Sequence, residues 1–546
     1  MGCLAALLLP VLPPAARAVT PLQQWIRRDD HGVLRYADGK EVRLWGVNYL
    51  LPFSVGYRNV LRLKLDPKEV IRNDLDDMKR MEVDLVRVRV TDREISAADG
   101  SLLENGHVDL LDYLIDQCRE RGIRVLLTPI SWYPSAADST DGFSDHALRH
   151  QLATLASTFP SQEKYLRALA GHRNAYTGLT YAEDPAVALW EIIHDPQPVE
   201  VKMEEVKASA MIDYATRMRA ALREAGVRAP ILYSAYALKW ADSADGELFD
   251  KSGVDGWTFS TYHGQSDGSI TRPPFLNPRT YGAWYMRHKP PFQWGSGYAM
   301  AVSEFDFMAI ETTYMFPAYG RNMAASGVQA VAYFQYDSEA LADHNPCYRL
   351  DWMNLRYTPA KAVSFMIGGR LFRKTHRGIE IEKFPRDDWR FDGVYLSGAH
   401  DVALYRDAEE GILMVTHSPA DPLPGTLEDY REYVAADSTG LIGFDGERFV
   451  RALFDPNERT VRLELEPRVE VRSNPFETGR WNMNVRFCRR VARLHDDETT
   501  VRLRLADDTV AVYRLAEDGS RKRLPVTRPE FPATPGRYLV ELDPGE

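Results

Sequence analysis

A chain of 546 residues, 45% apolar and 27% charged, is long enough for two or three domains and can bury a core without disulfide or metal staples. Its formal net charge of −11, with lysines and arginines scattered in ones and twos, argues against nucleic acid, because a phosphate-facing surface needs an excess of cations. Four cysteines (Cys3, Cys118, Cys347 and Cys488) match no zinc-site spacing, so neither a metal nor another cofactor is implied.

The chain begins with an apolar run, "LAALLLPVL", followed by the small-x-small site Ala16-Arg17-Ala18. That is a signal-peptide pattern over residues 1–18, although no basic residue precedes the run, and it predicts export to the periplasm or the medium. Three prolines in the segment weigh against a buried helix. Elsewhere no stretch approaches the ~18 apolar residues of a membrane span.

Residues 19–372 repeat one unit: a short β-branched run, a polar loop, then a helical pattern. Before the first unit, "HGVLRYADGKEVRL" reads as a hairpin turning at Asp38-Gly39 and closing the base of the repeating region. The runs are "RLWGVNY", "DLVRVRV", "IRVLLTPI", "VALWEII", "PILYSAY", "GWTFSTYH", "YAMAVSEF" and "VQAVAYFQY". Amphipathic helices are predicted between them, over Pro67 to Met81, Val108 to Arg121 and Lys202 to Ala225. Nearly all-apolar strands alternating with helices indicate a parallel sheet covered on both faces, and eight such units match a (β/α)8 barrel. No Gly-rich phosphate loop follows the first strand, so a dinucleotide site lacks its signature. From 373 to 546 the pattern changes to short alternating runs such as "GVYLSG", "GILMVTH", "TVRLRL" and "RYLVEL", an appended β-sandwich region.

In an eight-fold barrel the working face lies at the C-terminal ends of the strands. Strand two ends near Arg87 and Arg89, strand three near Trp132 and Tyr133, and strand four at His194-Asp195. Strand six ends at Tyr262-His263, strand seven at Glu304, and strand eight at Gln335, Tyr336 and Asp337. Two carboxylates, arginine, histidines and rings on one face are the inventory of glycoside hydrolysis, which needs one acid and one nucleophile or base. An arginine beside the nucleophile would keep it ionised. Trp132, Tyr133, Tyr336 and Trp294 are placed to stack on a sugar, or equally to pack loops. Glu191, by the period of two, points away from His194 and reads as structural. His146 and His150, spaced i, i+4, share a helix face but lack a third ligand, so a solvated face is preferred over a metal site. Ser131 and Ser303 lie in no nucleophile elbow.

These motifs resemble the clan A glycoside hydrolases, and most of all the mannanase-like branch of family 5, over roughly residues 30 to 370. "DLVRV" is similar to that family's strand-two arginine pattern, "AVSEFD" to its nucleophile motif, and "NAYTGLTYAEDPAVALWEI" to the lead-in to strand four. The resemblance implies Glu304 as nucleophile and Arg87 as a residue orienting the carboxylates or the sugar. "WEIIHDP" departs from the family's Asn-Glu-Pro: His194 stands on the Asn and Asp195 on the acid/base Glu. At strand six His263 is kept, but Gln265 occupies the family's tyrosine position, with Tyr262 adjacent, and Asp306 replaces a small glycine after Glu304. Asp has nearly the intrinsic acidity of Glu but is shorter by roughly 1.5 Å. The swap could therefore widen a retaining pair, about 5 to 5.5 Å apart, toward the inverting range of about 6.5 Å and more. His194, if protonated, could bind a sugar carboxylate.

The expectation is an exported retaining glycoside hydrolase acting on a plant- or microbe-derived saccharide. Glu304 would attack and Asp195 would serve as acid/base, with Arg87, His194, His263, Tyr262, Trp132 and Tyr336 binding the sugar. The connections 131–150 and 264–285 would wall the cleft and make a pocket for exo-cleavage. Two alternatives remain open: a catalytically silent glycan-binding barrel, and an inverting hydrolase using the same two acids. A carboxyl separation beyond roughly 10 Å would leave either hydrolase without a mechanism.

Overall fold

The structure is a computed structural model and describes residues 24–131, 140–196, 208–234, 251–262, 297–307, 313, 315–344, 353–379, 388–391, 393–473, 490–507 and 509–542. Each of the eight apolar runs is a strand. They are β1 (Leu44–Asn48), β2 (Leu85–Arg89), β3 (Arg124–Thr128), β4 (Val187–Glu191), β5 (Ile231–Ser234), β6 (Gly256–Tyr262), β7 (Ala299–Asp306) and β8 (Ala330–Tyr333). They pair in parallel in the order β8-β1-β2-β3-β4-β5-β6-β7 and close into a barrel.

Alternation of side chains along each strand decides what fills the barrel. Leu44, Leu85, Leu126, Leu189 and Leu232 meet Ala299, Ala301 and Ala330 in a small inner core. Ile26, Leu34 and Val42 of the N-terminal segment join that core from below. The segment turns at Gly39 (φ +83°), where Tyr36 N–H donates to Lys40 O at 2.9 Å, so it caps the base as a plug. Gln329 pins the plug: its amide donates to Leu34 O, and its oxygen accepts from Leu34 N–H.

The other strand faces pack on helices α1 (Ser54–Arg62), α2 (Pro67–Arg80), α3 (Gly106–Glu120), α4 (Arg149–Leu152), α5 (Phe159–Gly171), α6 (Ala208–Glu224), α7 (Met315–Ala325), α8 (Glu339–Ala342) and α9 (Pro359–Lys374). Asp66 and Asn105 cap α2 and α3 by accepting from backbone N–H groups of the first turn, which fixes where those helices begin. Residues 202–207 of the helix expected from Lys202 lie outside the described residues. α7 and α9 approach so closely that a Cβ on Gly320 would lie 2.2 Å from Gly368 O, so glycine is required there. Among the described residues, no helix is long and apolar enough to cross a membrane.

One irregularity in β7 governs the site. Its neighbour β6 pairs Phe259 with Val302 and then Ser260 with Glu304, skipping Ser303. On the other side, β8 pairs Val331 with Val302 and Tyr333 with Phe305. Both neighbours therefore see one extra residue, a β-bulge, and everything after it changes face. Phe305 turns outward to stack on Tyr319, with ring centroids 4.3 Å apart, and Glu304 turns inward.

Beyond α9 the described residues form strands, with one 3-10 turn at Leu427–Asp429. A ten-stranded sheet, running from Asp388–Phe391 to Arg521–Arg523, places Ile412 and Met414 in the core shared with α9. The alternate residues Leu413 and Val415 face a second core, closed by the three-stranded sheet of Ile442–Gly443, Thr499–Leu503 and Glu530–Ala533. Arginines stitch this region to the barrel. Glu466 accepts from Arg80 and from Arg356 (2.7 Å), and Arg370 bridges Glu82 and Glu432.

Candidate active site

Arg87 is the hub of the barrel mouth. It projects inward from β2 and is fully buried. Its Nη1 donates to Glu304 Oε1 at 2.9 Å and to Asn48 Oδ1 at 2.8 Å. Its Nε donates to Glu191 Oε2 at 3.0 Å, and its Nη2 pairs with the same carboxylate. Burial alone would favour neutral arginine, but the charges of Glu191 and Glu304 overcome it and push its pKa upward. Glu191 is held from two further sides, by the hydroxyls of Thr128 (2.6 Å) and Thr258. It thus positions Arg87 from within the barrel.

His194 stands beside the hub. The period of two would turn it away from Glu191, yet both touch Arg87. The regular strand ends at Glu191, and the turn after it breaks the alternation. The imidazole is wedged between guanidinium groups, Nδ1 at 3.2 Å from Arg87 Nη2 and Nε2 at 3.0 Å from Arg89 Nη1. Burial, then the charges of Arg89, Arg87 and Arg149, hold its pKa well below the usual histidine range. A neutral, enclosed ring corrects the expectation of an imidazolium receptor for a sugar carboxylate.

Asp195 occupies a turned backbone, with φ +40°. Side chains rarely adopt that region, and Asp and Asn are among the few that do. The short acid therefore belongs to this backbone. Arg149 Nε donates to the Asp195 carbonyl at 2.7 Å, its Nη2 lies 3.6 Å from Oδ2, and Oδ1 is buried without a hydrogen-bond partner among the described residues. His194 Nε2 lies 3.5 Å from Asp195 Oδ2 and 3.7 Å from Glu304 Oε1, so those oxygens are no more than about 7 Å apart, well inside the limit of roughly 10 Å for a two-carboxylate mechanism. Burial, and next the Glu304 carboxylate, push the Asp195 pKa up to about 7.

The mouth opens beside this cluster into a cavity of about 720 Å³ between β1, β2, β8 and α1. Tyr49, Leu51, Phe53, Leu63 and Leu341 supply apolar wall, and Arg89 connects it to the carboxylates, with Nη1 3.6 Å from Glu304 Oε1. Tyr336 lines this cavity, its ring edge-on to Tyr49 with centroids 6.0 Å apart, but it is 3% exposed and offers little face for stacking.

No family model matches the sequence, and no curated protein matches it. Among solved structures the chain is similar to an endo-β-1,4-mannanase from Thermotoga petrophila, with a TM-score of 0.48 and 14% identity, over 91% of this chain and 98% of that one. It is also similar to a glycoside hydrolase family 5 mannosidase from Rhizomucor miehei (TM-score 0.45, 16% identity, 64% of this chain and 97% of that one). A third is an exo-β-1,4-mannosidase from Opitutaceae bacterium strain TAV5 (0.43, 18% identity, 58% and 56%).

Of the residues expected at the site, Arg87, His194, Asp195 and Glu304 come together. Tyr262 ends β6, and its side chain is outside the described residues, as are His263, Gln265, Trp132, Tyr133, Trp294, residues 132–139 of the first expected cleft wall and all of the second. Asp306 is tied to the wall, accepting from Phe307 N–H and from the Tyr333 hydroxyl at 3.0 Å. His146 and His150 share no helix face. His146 ends a 3-10 turn, extended backbone at Ala147 and Leu148 intervenes, and α4 starts at Arg149. Sequence reasoning missed Asn48, Ser234, whose hydroxyl accepts from Asp195 N–H at 3.3 Å, and Arg149. The first two end β1 and β5, so reading every strand end would have found them. Arg149 sits in a long connection with no local signal.

Proposed function

We propose that the protein is a glycoside hydrolase of the clan A type, related to family 5, cleaving a glycosidic bond in a plant- or microbe-derived poly- or oligosaccharide. The reading rests on one observation: Asp195 Oδ2 and Glu304 Oε1 both lie against His194 Nε2, no more than about 7 Å apart at the mouth of an eight-stranded barrel, with unlike environments. Pairs of acids whose surroundings drive their protonation apart are how one site supplies both an acid and a base. Asp195, its pKa near 7, is the proton donor to the departing oxygen. Glu304, locked against Arg87, is the carboxylate that attacks the anomeric carbon. The glycosyl ester then breaks when Asp195, now the base, takes a proton from water. Export through the leader of residues 1–18 is part of the proposal, because an extracellular or periplasmic enzyme meets such substrates directly.

The test is a panel of aryl glycosides with Glu304→Gln and Asp195→Asn alongside the wild type. Loss of turnover in both variants is expected, as is a covalent mass increment on the wild type, but not on Glu304→Gln, after a 2-deoxy-2-fluoro glycoside. Equal weak turnover by all three proteins would leave the silent glycan-binding barrel instead. The shorter acid side chain favours one second reading, the inverting hydrolase, which predicts turnover without the covalent adduct.

A further inference from the structure

Helix α1 and the turn after it carry a surface that the reaction does not explain. Seven large apolar residues are strongly exposed among the described residues, and four of them lie here: Val55 (58%), Leu61 (47%), Leu63 (36%) and Leu65 (38%). The sequence through this stretch is Leu-Arg-Leu-Lys-Leu, residues 61–65, exposed at every position. Leucines interleaved with cations on the outside of a protein with net charge −11 are a local reversal of the molecule's character. Apolar side chains that enter an acyl boundary, with Arg and Lys beside them to meet anionic headgroups, are the chemistry of an interfacial helix. This rim also opens inward, since Val55, Arg62 and Leu63 line the same apolar cavity that reaches Arg89 and, through it, Glu304.

We infer that α1 docks on an anionic lipid surface and that the cavity behind it receives the apolar part of a glycolipid whose sugar reaches Asp195 and Glu304. The inference rests on the hydrolase reading for its chemistry, but docking on lipid is measured without turnover. A soluble polysaccharide would leave the leucines wet and an apolar cavity of this size unfilled by hydroxyl groups. A glycolipid covers both, and the cations draw the protein to a negatively charged bilayer. The geometry also assigns the two halves of the surface distinct tasks. Leu61 and Leu65, outside the cavity, hold the bilayer; Leu63 and Val55 form the threshold across which the lipid passes.

The experiment uses the full chain and vesicles of phosphatidylcholine with and without phosphatidylglycerol, read by flotation. Wild type should float with the anionic vesicles, and Leu61→Ser/Leu65→Ser should bind at least about tenfold more weakly, because two leucines no longer enter the bilayer. Turnover of a soluble aryl glycoside should be unchanged in that variant, which separates failure of docking from failure of the hydrolase. Replacing Val55 with Trp should block the cavity and weaken binding of dodecyl maltoside to Glu304→Gln, followed by calorimetry, while leaving flotation intact. Wild type that ignores anionic vesicles overturns the inference. So does a wild-type oligomer that falls apart on Leu61→Ser/Leu65→Ser, since the face would then join two copies of the chain.

Discussion

At the scale of single residues, the site concentrates opposing charges on buried side chains, and each charge has a measurable consequence. Asp195 titrates near 7, against 3.8 for an ordinary aspartate, so its proton is held more firmly in the folded state. The stability this gives is complete below the unfolded value and is lost as pH rises through about 7. Asp195→Asn should therefore match the wild type at pH 4 and exceed it at pH 8 by at least about 1 kcal/mol, in urea denaturation at both values. Asp74, equally raised to about 7 by burial, is present in both proteins and cancels in the comparison. In a Glu304→Gln background the gap should be smaller and stop growing at a lower pH, because the second contributor to the shift is gone. In the hydrolase we propose, with Asp195 as donor, the same titration should set the pH profile, kcat/KM falling above about pH 7 as the donor loses its proton. Arg87→Met tests the hub. It leaves Glu191 and Glu304 buried without their common cation, a loss of about 3–5 kcal/mol, part of which a second change, Glu191→Gln, should restore. Sequence alone carried Arg87 and the two acids, because strand ends are readable from periodicity. It misjudged the direction of Glu191 relative to His194, because the alternation it relied on stops at Glu191, where the strand does.

At the scale of elements, the barrel strands were legible throughout, since an all-apolar run bounded by polar loops has few other solutions. The bulge at Ser303 was not. Nothing in "AMAVSEFD" marks an extra residue, and only the ladders on both sides reveal it. Helix packing was also invisible, and Gly320 provides the check. Gly320→Ala drives a methyl group into the Gly368 carbonyl and should cost about 1–3 kcal/mol, lowering the melting temperature, by separating α7 from α9. Gly171→Ala, at the end of α5 with nothing within 4 Å of the added carbon, should stay within about 0.5 kcal/mol of wild type.

At the scale of the whole molecule, the β region shares its core with α9 and is pinned by charged contacts, so barrel and strands should melt together. A single calorimetric transition is the expected outcome. Glu466→Ala removes the acceptor common to Arg80 and Arg356 and should destabilise both halves by about 1–2 kcal/mol without splitting the transition. Composition and pattern foretold two architectures, but not that they are welded, because the Glu466 contacts join positions 110 and 386 residues apart in sequence. The N-terminal plug gives the last consequence. With Leu44, Leu85, Leu126, Leu189 and Leu232 filling the interior and Ile26, Leu34 and Val42 sealing its base, the described residues leave the barrel accessible at its mouth. In the hydrolase we propose, substrate would enter and product would leave through that same mouth. Release would then have to precede the next binding event.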